Sequence, residues 1–180
     1  IATATVISNV LCNGDCDGSV QVAFTGGVPM VSIVWNDPAN QTTSTANNLC
    51  AGTYTVTLAD GNNCVATDNV TVIEPSKFIV NTSQTDLNCF GDCDATATVN
   101  VISGGNPNYT INWNDPFNQV GPTATLCAGN YEATLTDQSG CDSIFSFSIT
   151  DPIELTINVS IDDNACFGTC EGNASISTAG

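Results

Sequence analysis

Cysteine and carboxylate are almost the only reactive groups in this 180-residue sequence. It holds ten cysteines and 18 acidic residues, no histidine, and one basic side chain, Lys77. General acid–base work at neutral pH lacks an imidazole, and no second lysine is present to act as a nucleophile. The acidic residues fall in turns and loops, without a pair set apart by environment. These features predict that the chain is not an enzyme.

Without histidine, a zinc site would have to be built from cysteine alone. The close cysteine pairs are Cys12/Cys16, Cys89/Cys93 and Cys166/Cys170, each with three intervening residues instead of the two of a zinc knuckle. Disulfides in an oxidising compartment are the better expectation, which places the chain outside the cell or in a periplasm.

The net charge of −17 excludes nucleic acid as a partner and disfavours an anionic membrane surface. Solubility and repulsion between neighbouring domains account for it in the plainest way. The sharper alternative is a divalent cation. Asp15 and Asp17 in Asn13-Gly14-Asp15-Cys16-Asp17-Gly18 have the alternation of a calcium loop, as do Asp92 and Asp94. The closing glutamate is missing, and Thr169 and Glu171 stand at these positions further on. Asp37, Asp60, Asp115 and Asp137 suit turn geometry alone. No cofactor is therefore expected, with calcium as the one candidate.

The apolar fraction of 42% is that of a folded protein. No apolar run approaches the roughly 18 residues of a membrane helix, so no membrane insertion is expected, and no signal peptide is visible. Self-similarity then organises the chain. Cys12, Cys89 and Cys166 recur at intervals of 77 residues, and Cys16, Cys93 and Cys170 do the same. Cys50 recurs as Cys127 and Cys64 as Cys141. Between them the spacing slips to 78, where Trp35 maps to Trp113 and Asn36-Asp37-Pro38 to Asn114-Asp115-Pro116. The expected domains are 1–75, 76–152 and the opening of a third at 153–180. Ile1 starts inside a strand-like run and Gly180 corresponds to Gly26, so the molecule is expected to continue.

Within a repeat the apolar period is two. Val20, Val22 and Phe24 alternate with polar neighbours, as do Val31, Ile33 and Trp35, and Tyr54, Val56 and Leu58. About seven short strands, separated by Gly-Gly-x-Pro, Asn-Asp-Pro and Asp-Gly-Asn-Asn turns, predict an all-β chain. Its fold is a tandem of immunoglobulin-like (fibronectin III/PKD-like) β-sandwich repeats of about 77 residues. Tyr54 and Tyr131 follow Leu-Cys-Ala-Gly and read as tyrosine corners. Trp35 and Trp113 read as core plugs instead of sugar-stacking platforms, because they end alternating strands. Glu74-Pro75 and Asp151-Pro152 mark short, stiff joints.

Four cysteines per repeat allow three pairings. Cys16 and Cys50 lie at the same end of such a sandwich, which favours Cys16–Cys50 and Cys93–Cys127. Elimination leaves Cys12–Cys64 and Cys89–Cys141, although strand counting puts those turns at opposite ends. Either the loop before the second strand runs back along the sandwich, or the bond crosses a joint between repeats. A local Cys12–Cys16 bond is the rival, worth roughly 2 kcal/mol against about 4 for a long-range one.

The pattern carried by Cys12, Gly14, Cys16, Asp17, Gly18, Gly26, Gly27, Pro29, Trp35, Leu49, Gly52, Tyr54, Asp60, Cys64 and Pro75 resembles the SprB-type repeats of Bacteroidetes surface proteins. The second repeat keeps it with Ala95 in place of Gly18. The resemblance implies very large adhesins exported by the type IX secretion system, some serving gliding motility, in which repeats form a stalk. It also implies that typical repeats keep two cysteines, those at the Cys12 and Cys64 positions, with Cys16/Cys50 then an added staple. Asp142-Ser143-Ile144 is similar to an O-glycosylation site of the same bacteria. An intramolecular isopeptide bond at Lys77 cannot be general, since its counterpart is Glu154. The expected partners are neighbouring repeats, other copies in a filament, and an external surface or glycan. The expected role is a stalk; the alternatives are the shaft of a multi-chain filament, or repeats that bind glycans or ice through Thr53, Thr55 and Thr57.

Overall fold

The structure, a computed structural model, describes residues 1–29, 31–162 and 173–179. Among these residues the chain is all β, with no helix. In the first repeat the strands are β1 (Ala2–Ser8), β2 (Gly18–Phe24), β3 (Ser32–Trp35), β4 (Thr45–Leu49), β5 (Gly52–Ala59) and β6 (Val65–Val72). They form two antiparallel sheets, ordered β1-β2-β4 and β3-β5-β6. This is the strand order of an immunoglobulin-like sandwich.

Register follows the period-two pattern. Val20 faces Ala46 across β2 and β4, and Trp35 faces Val56 across β3 and β5. The alternate residues Val20, Val22, Ala46, Leu49, Val56, Leu58, Val70 and Val72 are buried between the sheets around Trp35, which is fully enclosed. Each buried valine or leucine among them contributes about 1.5–3 kcal/mol. Phe24 departs from the expected core set and is 42% exposed, because it is the last residue of β2, at the end of the sandwich.

Among the described residues a full repeat has six strands, not about seven. The stretch between β3 and β4, where a further strand would run, is turned by Asp37. Its carboxylate accepts the N–H groups of Ala39 (3.1 Å) and Gln41 (2.8 Å) and the Gln41 side-chain amide (3.0 Å). Gln41 in turn exchanges two hydrogen bonds with the Asn47 backbone. Asp115 and Gln119 repeat this lock, with Thr125 in place of Asn47.

The second repeat contributes β7 (Ile79–Gln84), β8 (Ala95–Ser103), β9 (Thr110–Trp113), β10 (Thr123–Leu126), β11 (Gly129–Thr136) and β12 (Asp142–Ile149), in sheets ordered β10-β8-β7 and β12-β11-β9. Its core is repacked at nearly constant volume. Val20 and Val56 are replaced by Ala97 and Ala133, while Val70 becomes Phe147, whose ring lies 5.1 Å from that of Trp113. Two shrunken side chains make room for one enlarged side chain. β13 (Thr156–Asp162) and β14 (Asn173–Ala179) pair antiparallel, with every residue exposed. Cys166, Thr169, Cys170, Glu171 and Gly180 lie outside the described residues.

The chain forms two compact units. One comprises Ile1–Val80, Val101–Thr110 and Thr136–Ser143, and the other Asn81–Asn100, Ile111–Leu135 and Ile144–Gly180. The first unit thus includes a glycine loop and a hairpin from the second sequence repeat, and these build the site described next.

Candidate functional site

Cys12 sits on a loop between β1 and β2 that is held almost entirely by carboxylates and carbonyls. Asp17 Oδ1 accepts the Leu11 N–H at 3.0 Å, and the Cys12 carbonyl accepts the Asp15 N–H at 3.1 Å. Glu74 Oε2 accepts the Gly14 N–H at 2.6 Å, and the Pro75 carbonyl accepts the Asn13 side-chain amide at 3.0 Å. Gly14 has φ +87°, where a side chain would be strained. The loop is therefore tied to the residues that follow β6.

Cys141 sits on the turn between β11 and β12, held by Asp137. Asp137 Oδ1 accepts the N–H groups of Ser139 (2.8 Å) and Cys141 (3.0 Å), and its Oδ2 accepts that of Asn106 (2.8 Å). Burial raises the Asp137 carboxyl, but the bonds from Asn106, Cys141, Ser139 and Gly140 outweigh it and leave the group below the ordinary aspartate value. The neighbouring Gly105 donates its N–H to the Ser76 carbonyl at 2.7 Å. A Cβ on Gly105 would collide with the Phe78 ring and lie 2.8 Å from Asp137 Oδ2.

The two cysteines are bonded to each other: Cys12–Cys141, across a sequence separation of 129. The bond lies beside a cleft of about 390 Å³ whose lining includes Asp15, Pro75, Lys77, Phe78 and Asp137. Cys16–Cys50 and Cys93–Cys127 form as well. The expected Cys12–Cys64 and Cys89–Cys141 bonds do not, and Cys64 and Cys89 are free and exposed. The reason is distance along a strand. Cys64 immediately precedes β6, while the Cys12 loop is tied to Glu74 and Pro75 beyond its far end. Eight residues at about 3.3 Å each hold the two apart.

Other candidate residues fall into place around this arrangement. Trp35 and Trp113 are 0% and 2% exposed and donate their indole N–H to the carbonyls of Thr43 and Gly121, which leaves no face for sugar stacking. The Tyr54 hydroxyl donates to the Cys50 carbonyl at 2.9 Å, a tyrosine corner. Tyr131 packs its ring against Gly129. Asp94 repeats the role of Asp17, accepting from the Asn88 backbone and side chain, and Asp15 and Asp92 occupy the same loops. No cluster of three potential metal ligands occurs among the described residues. Ser143 is half-buried at the start of β12. Thr53 and Thr55 bond across the sheet to Thr71 and Asn69, as solvated strand faces do.

The roles of Glu74, Gln41 and Gln119 escaped the reading of single motifs. The Asp-x-x-x-Gln spacing shared by Asp37/Gln41 and Asp115/Gln119 was a usable signal.

The SprB repeat family matches residues 4–40 and again residues 81–118. Two stretches of this chain thus match the same family model at corresponding places. The SprB matches begin 77 residues apart and end 78 apart, the same slip that the tryptophans show. They take in both cysteine loops and stop before the hairpins. No curated protein sequence matches the chain. Among solved structures it is similar to the three N-terminal domains of the Highly Immunogenic Outer Capsid protein (Hoc) of bacteriophage RB49. That likeness has 15% identity and a TM-score of 0.45, and covers 99% of this chain and 69% of that one. It is also similar to the amphioxus IgVJ-C2 molecule, at 11% identity and a TM-score of 0.32, over 83% of this chain and 96% of that one. Neither likeness bears on function. The match points toward a surface-adhesin repeat, and the three disulfides of this chain are those of an oxidising environment.

Proposed function

We propose that this chain is a stalk segment of a large cell-surface repeat adhesin, a structural part that holds an adhesive end away from the cell. The observation that carries the reading is the Cys12–Cys141 bond, which ties the first SprB repeat to the hairpin of the second. A covalent tie between successive repeats suits a part that bears tension, because pulling on it loads a bond instead of a docking surface. Pro75 and the Gly105–Ser76 hydrogen bond at the same place restrict the joint further. The absence of histidine leaves the free thiols Cys64 and Cys89 without an imidazole base, which agrees with a structural role. Thr53 and Thr55 are engaged in cross-strand hydrogen bonds, which argues against ligand binding by that face.

The test is made on cells. Antibodies against the chain should label intact cells, and a shortened repeat array should weaken attachment under flow. The purified chain should leave glycans and abiotic surfaces unbound. Labelling only after lysis, or direct binding by the purified repeats, would overturn the stalk.

A further inference from the structure

The two free cysteines occupy positions that the Cys12–Cys141 bond makes meaningful. Cys89 is the counterpart of Cys12, and its loop has the same internal bonds. The Cys89 carbonyl accepts the Asp92 N–H at 3.2 Å, Asp94 accepts the Asn88 N–H at 3.2 Å, and Asp151 accepts the Gly91 N–H at 2.9 Å. Asp151 thus does for Gly91, at φ +78°, what Glu74 does for Gly14. Cys64 is the counterpart of Cys141, and its turn too is the same. Asp60 Oδ1 accepts the N–H groups of Asn62 and Cys64, each at 2.9 Å, and its Oδ2 accepts that of Val28 at 3.1 Å. Both free thiols are therefore presented on backbone already shaped as in the bonded pair.

The surroundings of Cys64 point the same way. Next to Cys141 the cleft is lined in part by Cys12, Asn13, Asp15 and Pro75, which the preceding repeat supplies. Next to Cys64 the corresponding surface is a cleft of about 280 Å³ bordered by Ile1, Phe24, Gly27, Asp60 and Val65. Phe24 and Val65 on its border are 42% and 65% exposed.

We propose that Cys64 and Cys89 are the two open halves of the same junction. Cys64 takes the Cys12-type loop of another SprB repeat and Cys89 takes the Cys141-type hairpin of another, so that successive repeats are disulfide-linked at every step. The occupant is a repeat of this same kind, in a tandem chain the adjoining one. The chemistry is thiol–disulfide exchange with a disulfide donor, such as a periplasmic oxidoreductase or oxidised glutathione. One thiolate attacks the donor to give a mixed disulfide and releases one donor thiol. The partner thiolate then displaces the second donor thiol, so two protons and two electrons pass to the donor. The inference stands on repeat geometry and does not depend on the adhesin reading.

The test uses the 180-residue chain, with Cys166 and Cys170 replaced by serine, in two variants, Cys64→Ser and Cys89→Ser, each keeping one of the two thiols. Mixed in equal amounts in oxidised glutathione, they should give a heterodimer bonded Cys64 to Cys89. Its excess over either homodimer should be about tenfold, the preference that about 1.4 kcal/mol of matched docking contacts confers. The unsubstituted chain should form head-to-tail oligomers with the same bond, located by peptide mass mapping, while Cys12–Cys141 stays intact. Homodimers in statistical proportion, or thiols that stay free in the unsubstituted chain, would overturn the proposal.

Discussion

Asp137 accepts the N–H of Cys141 at 3.0 Å, and the turn that carries the sulfur bonded to Cys12 is shaped by this one carboxylate. The same relationship, at 2.9 Å, joins Asp60 to the free Cys64. An aspartate four residues before a cysteine is therefore part of how these repeats present a thiol, beyond forming a turn.

Replacing Asp137 by alanine removes three charge-assisted bonds at once and leaves the N–H groups of Asn106, Ser139 and Cys141 without a partner. The expected loss is about 2 kcal/mol or more. Formation of Cys12–Cys141 during oxidative refolding should also slow. Asp137→Asn keeps one acceptor oxygen and should lose less. Thermal melts and quantified disulfide formation check both, and unchanged kinetics in the alanine variant would detach the carboxylate from the bond.

Acid should destabilise the chain in one window. Burial pushes the Asp37 and Asp115 carboxyls up, but the bonds from Gln41 and Ala39, and from Gln119 and Phe117, leave both below the ordinary value, as Asp137 is. A carboxylate depressed on folding stabilises fully above its unfolded pKa, near 3.9, and that contribution disappears as pH falls through the folded value. Melting temperature should be flat from about pH 5 to 8 and drop below about pH 4. Stability that held or rose in acid would show that relief of the net charge of −17 outweighs these bonds.

Much of this was legible in advance, for identifiable reasons. Alternation placed Trp35, Val56 and Val72 inside because only one face of each strand can be buried. Cys16 and Cys50 could be paired because each abuts a strand end at the same edge. Cys12 could not, because a strict repeat offers an equivalent partner in its own unit, Cys64, and in the next, Cys141, and the period does not say which of them it meets. Elimination inside one repeat assumed that each repeat satisfies its own thiols. The conflict in strand counting was the one sign that it need not. The Glu74–Gly14 contact was not read because, although both positions recur 77 residues on as Asp151 and Gly91, nothing in the sequence shows that residues 60 apart meet.

Calcium should have at most a modest effect. Asp17 and Asp94 already serve as acceptors for the Leu11 and Asn88 N–H groups, and binding a cation would compete with those bonds. Calorimetric titration should show weak uptake or none. Tight binding with one ion per repeat would mean that the Asp15/Asp17 and Asp92/Asp94 loops rearrange around metal.

The last prediction concerns mechanics and the bond that spans the repeats. In the chain-entropy picture Cys16–Cys50, with a separation of 34, stabilises by about 4 kcal/mol, and Cys12–Cys141, with a separation of 129, by about 5. The shorter bonds act within a repeat, whereas the longer one restrains the joint at Pro75. Strands of about seven residues at about 3.3 Å each, with loops at both ends, should advance an array by about 35–45 Å per repeat. Scattering from oxidised chains of increasing repeat number should show length growing in proportion to that number. Substituting serine at the Cys12 position of every repeat should leave each sandwich folded, with its buried tryptophan still blue-shifted in emission. Length should then shift toward growth as the square root of repeat number. If the oxidised array already grows as the square root, the stiff stalk is wrong. If the serine array stays rod-like, stiffness resides in Pro75 and the Gly105–Ser76 contact, and the disulfide serves strength alone.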